Sequence, residues 1–471
     1  MKYTKPFLNH RKRTFSVFQA PLWILLAFFL FSCADSAEKK TQETPAKPDK
    51  NIIESETADF KVLPEYQDKI DQLLEAELIK KAFNRIEEVD KETVQNQIDL
   101  TELEAPPFKE GKFGRTELFK KLMEKYGIKS VEIDSVGNVV GTRKGTKGDK
   151  VIVIAGHLDT VFPEGTDVTA TISNDTIYAP GISDDGRGIA AVLTLARIFQ
   201  ELDVKTEDDI LFVGNVGEEG PGDLRGMKHL FGENGPKIDK FISIEPGSPN
   251  RITYGGIGSH RYEITIEGPG GHSWGAFGLA NPIHALGQGI TEFVKVADAY
   301  TQDGEKTSYN VGIVNGGTSV NSVPFSVTAR VDMRSLDQER LNHIDSLLHQ
   351  SMRKGVQEQN DIRRRGKPLK LTFNMIGDRP FGKTDLQGSL VQNAAAASHA
   401  LGAEKVGFGI SSTDSNIPMS KGIPAITIGG GGKSGGAHSL DEWFLNEYGY
   451  KGIQRAFLLL ASEAGFVNNS N

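Results

Sequence analysis

Two histidines and several carboxylates of this 471-residue chain stand where short apolar or glycine-rich runs end: His157 and Asp159, Asp184, Glu218 with Glu219, Glu245, and His438. Imidazole nitrogens and carboxylate oxygens are the donors that zinc and similar divalent cations take. Two such cations held side by side activate water for hydrolysis. The set points to a hydrolase built around a metal pair.

Each place has a plainer reading when taken alone. In Ile154-Ala155-Gly156-His157-Leu158-Asp159 the imidazole emerges at the end of a buried strand, where ligands of α/β sheets collect. Asp159 is placed to hydrogen-bond the second ring nitrogen, fixing the tautomer and raising ligand basicity; the alternative is a satisfied loop histidine. Gly181-Ile182-Ser183-Asp184-Asp185-Gly186-Arg187-Gly188 opens a helix, so Asp184 either shares its oxygens between two cations or belongs to an acidic helix cap. Glu218 and Glu219 are adjacent acids after a strand, a costly arrangement unless a cation or a shared proton sits between them. One can then ligate while the other handles a proton; a solvated loop is the bland option. Glu245 closes Phe241-Ile242-Ser243-Ile244, and His438 ends a glycine run in Gly435-Gly436-Ala437-His438-Ser439. The conjunction decides, because every one of these places falls where a strand ends.

The elements that must bring them together are legible as strands and helices. Val151 to Ala155, Ile210 to Asn215, Phe241 to Ile244 and Ala425 to Ile428 are continuous apolar runs, as expected of strands buried on both faces. Gly188 to Leu202 carries Ile189, Val192, Leu193, Ala196 and Phe199 at helical spacing. An α/β fold with a mostly parallel sheet follows. From Gly256 to Asn374 the texture changes. Tyr262, Ile264 and Ile266, and then Val327, Ala329, Val331 and Met333, alternate with polar neighbours, and helix-like segments lie near Pro282 to Ala297 and Leu336 to Gln357. This is the pattern of a half-exposed sheet carrying helices on one face, inserted into the first domain.

The amino terminus reads as an address. Lys2, Lys5, Arg11, Lys12 and Arg13 precede an apolar run from Pro21 to Phe31 that is shorter than a membrane span, and Cys33 is the only cysteine. The segment is similar to a bacterial lipoprotein signal whose cysteine takes the lipid. The composition after it is polar and poor in large apolar residues, as for a tether that stays unfolded. The chain is expected to be exported and lipid-anchored to a bacterial membrane, in the periplasm or on the cell surface. A net charge of -8 leaves no basic surface for nucleic acid.

Taken in order, Gly-His-Leu-Asp-Thr, Gly-Ile-Ser-Asp-Asp-Gly-Arg-Gly, Gly-Glu-Glu-Gly, Ile-Glu-Pro and Gly-Gly-Ala-His-Ser resemble the co-catalytic zinc peptidases and amidohydrolases. That family includes tripeptide aminopeptidase (peptidase T), glutamate carboxypeptidase, carnosinase, acetylornithine deacetylase and succinyl-diaminopimelate desuccinylase. The resemblance covers roughly Lys69 to Phe466. It implies two Zn2+, with Co2+ or Mn2+ as substitutes: His157 and Glu245 on one ion, Glu219 and His438 on the other, and Asp184 bridging. Asp185 resembles the residue after the bridging ligand, often joined to it through a cis peptide. Glu218 and Asp159 take catalytic roles, Glu218 as general base. Gly268-Pro269-Gly270-Gly271-His272-Ser273 resembles the segment whose histidine reaches across a dimer to the oxyanion. Asn321 and Arg334 resemble residues that hold the substrate's backbone or terminal carboxylate. The third ligand is Glu245 where some members have Asp, and Ser411 to Asn416 resembles the peptidase branch.

The resemblance implies a zinc-exopeptidase-like catalytic domain with an inserted α+β lid that dimerises. The division expected is a lipoprotein signal peptide over residues 1–33, a disordered tether over 34–64, catalytic parts over 65–255 and 377–471, and the lid over 256–376. Its activity would be hydrolysis of short peptides or, alternatively, of N-acyl amino acids.

Overall fold

The computed structural model describes residues 57–468. The signal peptide, Cys33 and most of the tether lie outside the described residues. The end of the expected tether does not stay free. Phe60 and Val62 pack against the main core, Phe60 meets Phe408 edge-on at 4.7 Å, and Leu63 N donates to Gln392 Oε1 at 2.8 Å. The packing of Phe60 and Val62, with the backbone bond at Leu63, orders this stretch. Among the described residues no helix is long and apolar enough to cross a membrane.

The central sheet runs Ser130–Ile133, Val139–Arg143, Asp209–Asn215, Val151–His157, Lys240–Glu245, Ala425–Gly429, Arg251–Gly256 and Gly382–Lys383, with Gly407–Ser411 also paired to Arg251–Gly256. Its four middle strands, from Asp209–Asn215 to Ala425–Gly429, are mutually parallel. Antiparallel pairs flank them. Along Val151–His157 the side chains alternate between two dry layers, which is why the run is apolar throughout. Ile152 and Ile154 face the layer of helices Gly186–Glu201, Ser389–Ala400 and Tyr450–Glu463; Val153 and Ala155 face Met227, Leu230 and Ile417 on the other side. Four further helices, Pro64–Glu75, Glu77–Glu88, Asp90–Thr101 and Arg115–Lys125, precede the sheet.

A second, antiparallel sheet is ordered Thr307–Gly316, Ser326–Ser335, Gly258–Glu267, Lys370–Arg379. The alternating residues Ile264, Ile266, Val327, Ala329, Val331 and Met333 bury themselves under helices Pro282–Thr301 and Gln338–Asp361 in a core of their own. Asn281 and Asp337 cap those helices with their side chains. The last strand runs to Arg379, past the boundary expected at residue 376. The chain passes between the two sheets at Ile257 and again at Pro380. Buried Asn416 holds both passages: its Nδ2 donates to Ile257 O and to Pro380 O, each at 2.9 Å.

A small sheet of Lys433–Gly435, Trp443–Leu445, Thr176–Tyr178 and Thr171–Ser173 joins two loops that are far apart in sequence. One of these loops leads to Asp184 and the other carries His438.

Candidate metal centre

His157 is the last residue of the strand Val151–His157, and Asp184 lies just before the helix Gly186–Glu201. Gly156 and Gly188 let strand and helix approach. A Cβ on Gly156 would lie 2.8 Å from Gly188 C, and one on Gly188 would lie 2.3 Å from Asp185 Oδ1, so only glycine fits at this contact. Asp185 caps the helix, accepting from Gly188 N at 2.9 Å and from His157 N at 3.0 Å. The capping role thus falls to Asp185 and leaves the carboxylate of Asp184 free to face the imidazoles. The peptide between the two aspartates is cis.

Asp184 Oδ1 lies 3.0 Å from His157 Nε2, and Asp184 Oδ2 lies 3.2 Å from His438 Nε2. His438 Nε2 is also 2.9 Å from Glu219 Oε1. One carboxylate therefore presents its two oxygens to two different imidazoles. Donors on a tetrahedral zinc with arms of about 2.0 Å stand roughly 3.3 Å apart, close to these separations. His157, Asp184 and Glu219 each offer an atom within 4.8 Å of the others. Glu245 ends its strand half-buried, and its carboxyl responds to the charges of His157 and Asp184.

Electrostatics argue for cations in the same place. Burial pushes Glu218, Glu245 and Asp185 well above the usual carboxylate range, with neighbouring carboxylates adding to the shift of each. Asp414, fully buried and hydrogen-bonded by Asn215 Nδ2 at 2.6 Å, is pushed up to about 6 by burial. The histidines move the other way. His157 is raised well above its usual value, Asp184 and its acidic neighbours outweighing burial, and hydrogen bonds to Asp184 and Glu219 raise His438 to about 10. Crowded acids that resist ionising, facing imidazoles that recruit protons to balance them, form a set that divalent cations would neutralise. The residues present fit a metal pair.

Asp159 departs from expectation. The second ring nitrogen of His157 meets the backbone carbonyl of Asp159 at 3.0 Å, while the carboxylate stands 3.8 Å away. Its oxygens are engaged elsewhere, accepting from Glu218 N at 2.9 Å and from Glu219 N at 2.7 Å. A fully buried carboxylate takes two backbone donors in preference to one shared ring proton, and in doing so it fixes the turn that presents the two glutamates.

Arg379 is a residue of the site that the motif series does not reveal. It ends the second sheet's last strand, is almost fully buried, and donates from Nη1 to Glu218 Oε1 at 3.0 Å and to Ser412 Oγ at 2.9 Å. Its Nη2 donates to the backbone carbonyl of Glu218. Glu218 is thereby oriented with one carboxylate oxygen occupied.

His272, Asn321 and Arg334 are not brought into contact with this cluster among the described residues. His272 is exposed, and its Nδ1 accepts from Trp274 N at 3.2 Å and Gly275 N at 3.3 Å, as in a capped turn. Asn321 lies beside it, its carbonyl accepting Ser273 N at 2.8 Å. Arg334 donates from Nε to Asp332 Oδ2 at 2.9 Å.

A mostly parallel α/β sheet whose carboxyl edge gathers imidazoles and carboxylates around a shared aspartate defines the class: an α/β protein with a candidate metal centre. The chain belongs to peptidase family M20/M25/M40, whose model matches residues 153–462. It is 28% identical to carboxypeptidase G2 of Pseudomonas sp. (strain RS-16), over 42% of this chain and 47% of that protein. It is 27% identical to succinyl-diaminopimelate desuccinylase of Nitrosomonas eutropha, over 50% of this chain and 66% of that protein. The chain thus spans about half to two-thirds of the length of these curated relatives. Among solved structures it is similar to aminopeptidase PepT from Bacillus cereus, with a TM-score of 0.62, 21% identity and coverage of 79% of this chain and 97% of that one. It is also similar to a dinuclear metal binding peptidase from Bacillus subtilis, with a TM-score of 0.57, 16% identity and coverage of 82% and 99%.

Proposed function

We propose that this protein is a dinuclear zinc exopeptidase that hydrolyses the amide bonds of short peptides. The observation that carries the reading is Asp184 presenting one oxygen to His157 and the other to His438, with Glu218 beside them. His157 and Glu245 would hold one ion, Glu219 and His438 the other, and Asp184 both. Two bound cations would lower the pKa of a water and polarise the scissile carbonyl. Glu218 accepts a proton from the attacking water at the oxygen that Arg379 leaves free, and returns it to the departing nitrogen. Asp159 keeps Glu218 in reach by pinning its backbone N–H. His272, Asn321 and Arg334 handle the substrate, with His272 contributed across a homodimer formed through the second sheet.

Removal of metal tests the reading. Chelation abolishes amide hydrolysis and zinc or cobalt restores it; a fully chelated sample that keeps its activity refutes it. The desuccinylase relative favours a second reading, an N-acyl amino acid deacylase on the same centre. Mass-spectrometric product analysis with dipeptides, tripeptides and N-succinyl amino acids separates the two. The location we propose is a bacterial membrane, held through lipid on Cys33, and it rests on the order of basic arm, apolar run and lone cysteine. Metabolic labelling with a fatty acid that fails to mark the wild-type chain, or marks a Cys33→Ala chain equally, removes it.

A further inference from the structure

One fully buried carboxylate next to the centre has no part in that mechanism. Glu442 follows His438 by four residues and immediately precedes the strand Trp443–Leu445 of the small sheet. Its Oε1 accepts Ser183 N at 2.8 Å, Ser183 Oγ at 2.6 Å and Asp184 N at 2.9 Å, and its Oε2 accepts Gly181 N at 2.9 Å. Its backbone carbonyl accepts Ala179 N at 3.1 Å. Among the described residues no cationic side chain pairs with it, and its donors come from the loop that ends in Asp184. We propose that Glu442 is a positioning residue that holds Asp184 in the bridging geometry and so sets how tightly the metal pair is retained. The inference rests on the metal-centre reading above.

The geometry explains why a carboxylate stands here. Successive backbone N–H groups before a helix form a concave donor set suited to an anion, and the two oxygens of Glu442 satisfy three such groups and the Ser183 hydroxyl at once. The loop would otherwise have to satisfy those buried groups by rearranging, and Asp184 would move with it. Because His438 lies on the same short segment, a single piece of chain both supplies one ligand and fastens the loop of the bridging one. Partners that orient metal ligands typically cost 10- to 100-fold in metal affinity when removed.

The test compares wild type, Glu442→Ala, Glu442→Gln and Ser183→Ala as full chains. Bound zinc after dialysis, the rate of zinc release to a chelator, the cobalt(II) absorption spectrum and the metal-free Tm are measured. Glu442→Ala is expected to release zinc about 10- to 100-fold faster, with an altered cobalt spectrum. Glu442→Gln falls between, since its NH2 faces the Gly181 N–H, and Ser183→Ala shows the smallest loss. A Glu442→Ala protein with wild-type zinc content, release rate and cobalt spectrum overturns the proposal. If Glu442→Ala does not fold, wild-type release from Glu442→Gln and Ser183→Ala together overturns it. A wild-type chain that binds no metal refutes the centre itself, so the two failures are told apart by the wild-type arm.

Discussion

Replacing Glu218 by Gln isolates the proton-handling step from metal binding. The amide matches the carboxylate in size, and its carbonyl oxygen can go on accepting from Arg379 Nη1, which stands at 3.0 Å in the wild type. The other position becomes an NH2 with no capacity to take a proton. Two opposing terms bear on stability. Burial, only partly opposed by Arg379 and reinforced by Glu219, already disfavours the charged form of Glu218, so a neutral group removes a desolvation cost. Arg379, whose side chain is 6% exposed, then loses its counter-charge. Deleting one partner of a buried pair costs about 3–5 kcal/mol, but Gln keeps the hydrogen bond, so the net change stays within about 2 kcal/mol. Catalysis has no such compensation. Loss of a positioned general base lowers kcat roughly 100- to 10,000-fold, equivalent to about 3–5 kcal/mol of barrier. Metal content stays at the wild-type level, because the carboxylate of Glu218 bonds to Arg379 and not to the ligand set. Turnover of a peptide panel with metal content measured on the same samples checks this. A variant with full metal and turnover within about ten-fold of wild type would refute the base assignment.

Three further outcomes are expected. Arg379→Ala strands a buried carboxyl and should lower stability by about 3–5 kcal/mol, read from denaturant midpoints; a shift under about 1 kcal/mol would mean the Glu218 pair contributes little. Phe457→Ala, at a fully buried position that touches Phe83 and Phe199 across the main core, should cost about 3–5 kcal/mol; an unchanged thermal midpoint would contradict the packing described. The third concerns pH in metal-free protein. Hydrogen bonds donated to Asp184 and Glu219 raise His438 to about 10, so its stabilisation is complete below the ordinary histidine pKa and fades as pH rises through about 10. The ring is more than half exposed and the effect is correspondingly small. Thermal midpoints of chelated wild type should fall more than those of His438→Ala between neutral pH and pH of about 10; parallel curves would remove the ion pair as a stabilising element.

The parts of this molecule that were readable as sequence are those in which local pattern and tertiary role coincide. Continuous apolar runs ended by His157, Asn215 and Glu245 mark strands buried on both faces, so the residues at their ends had to share one edge of the sheet. Alternation at Tyr262, Ile264 and Ile266 marked the half-covered second sheet equally well. Asp159 was half legible: its closeness to His157 follows from spacing, but its choice of the Glu218 and Glu219 amides depends on a strand 59 and 60 residues away. Arg379 carries no local signal, since an arginine before a proline at a strand end is ordinary and only the return of the chain to the central sheet puts it on Glu218. Glu442 is hidden for the same reason, its partners lying 258 to 261 residues back. The helices between residues 64 and 125 are hard to see because their buried stripes are narrow; in Glu77–Glu88 only Ile79, Ala82 and Ile86 are buried among charged neighbours.

Asn416 leaves the second sheet little independence. Both strands of chain that lead to it and away from it are fastened by the same amide group, so they cannot slide past one another or separate without breaking that fastening. A rotation of one sheet against the other that preserves this fastening turns close to it, and Arg379, one residue from Pro380, lies near that axis. Such a rotation displaces the far end of the sheet more than it displaces Arg379, the partner of Glu218.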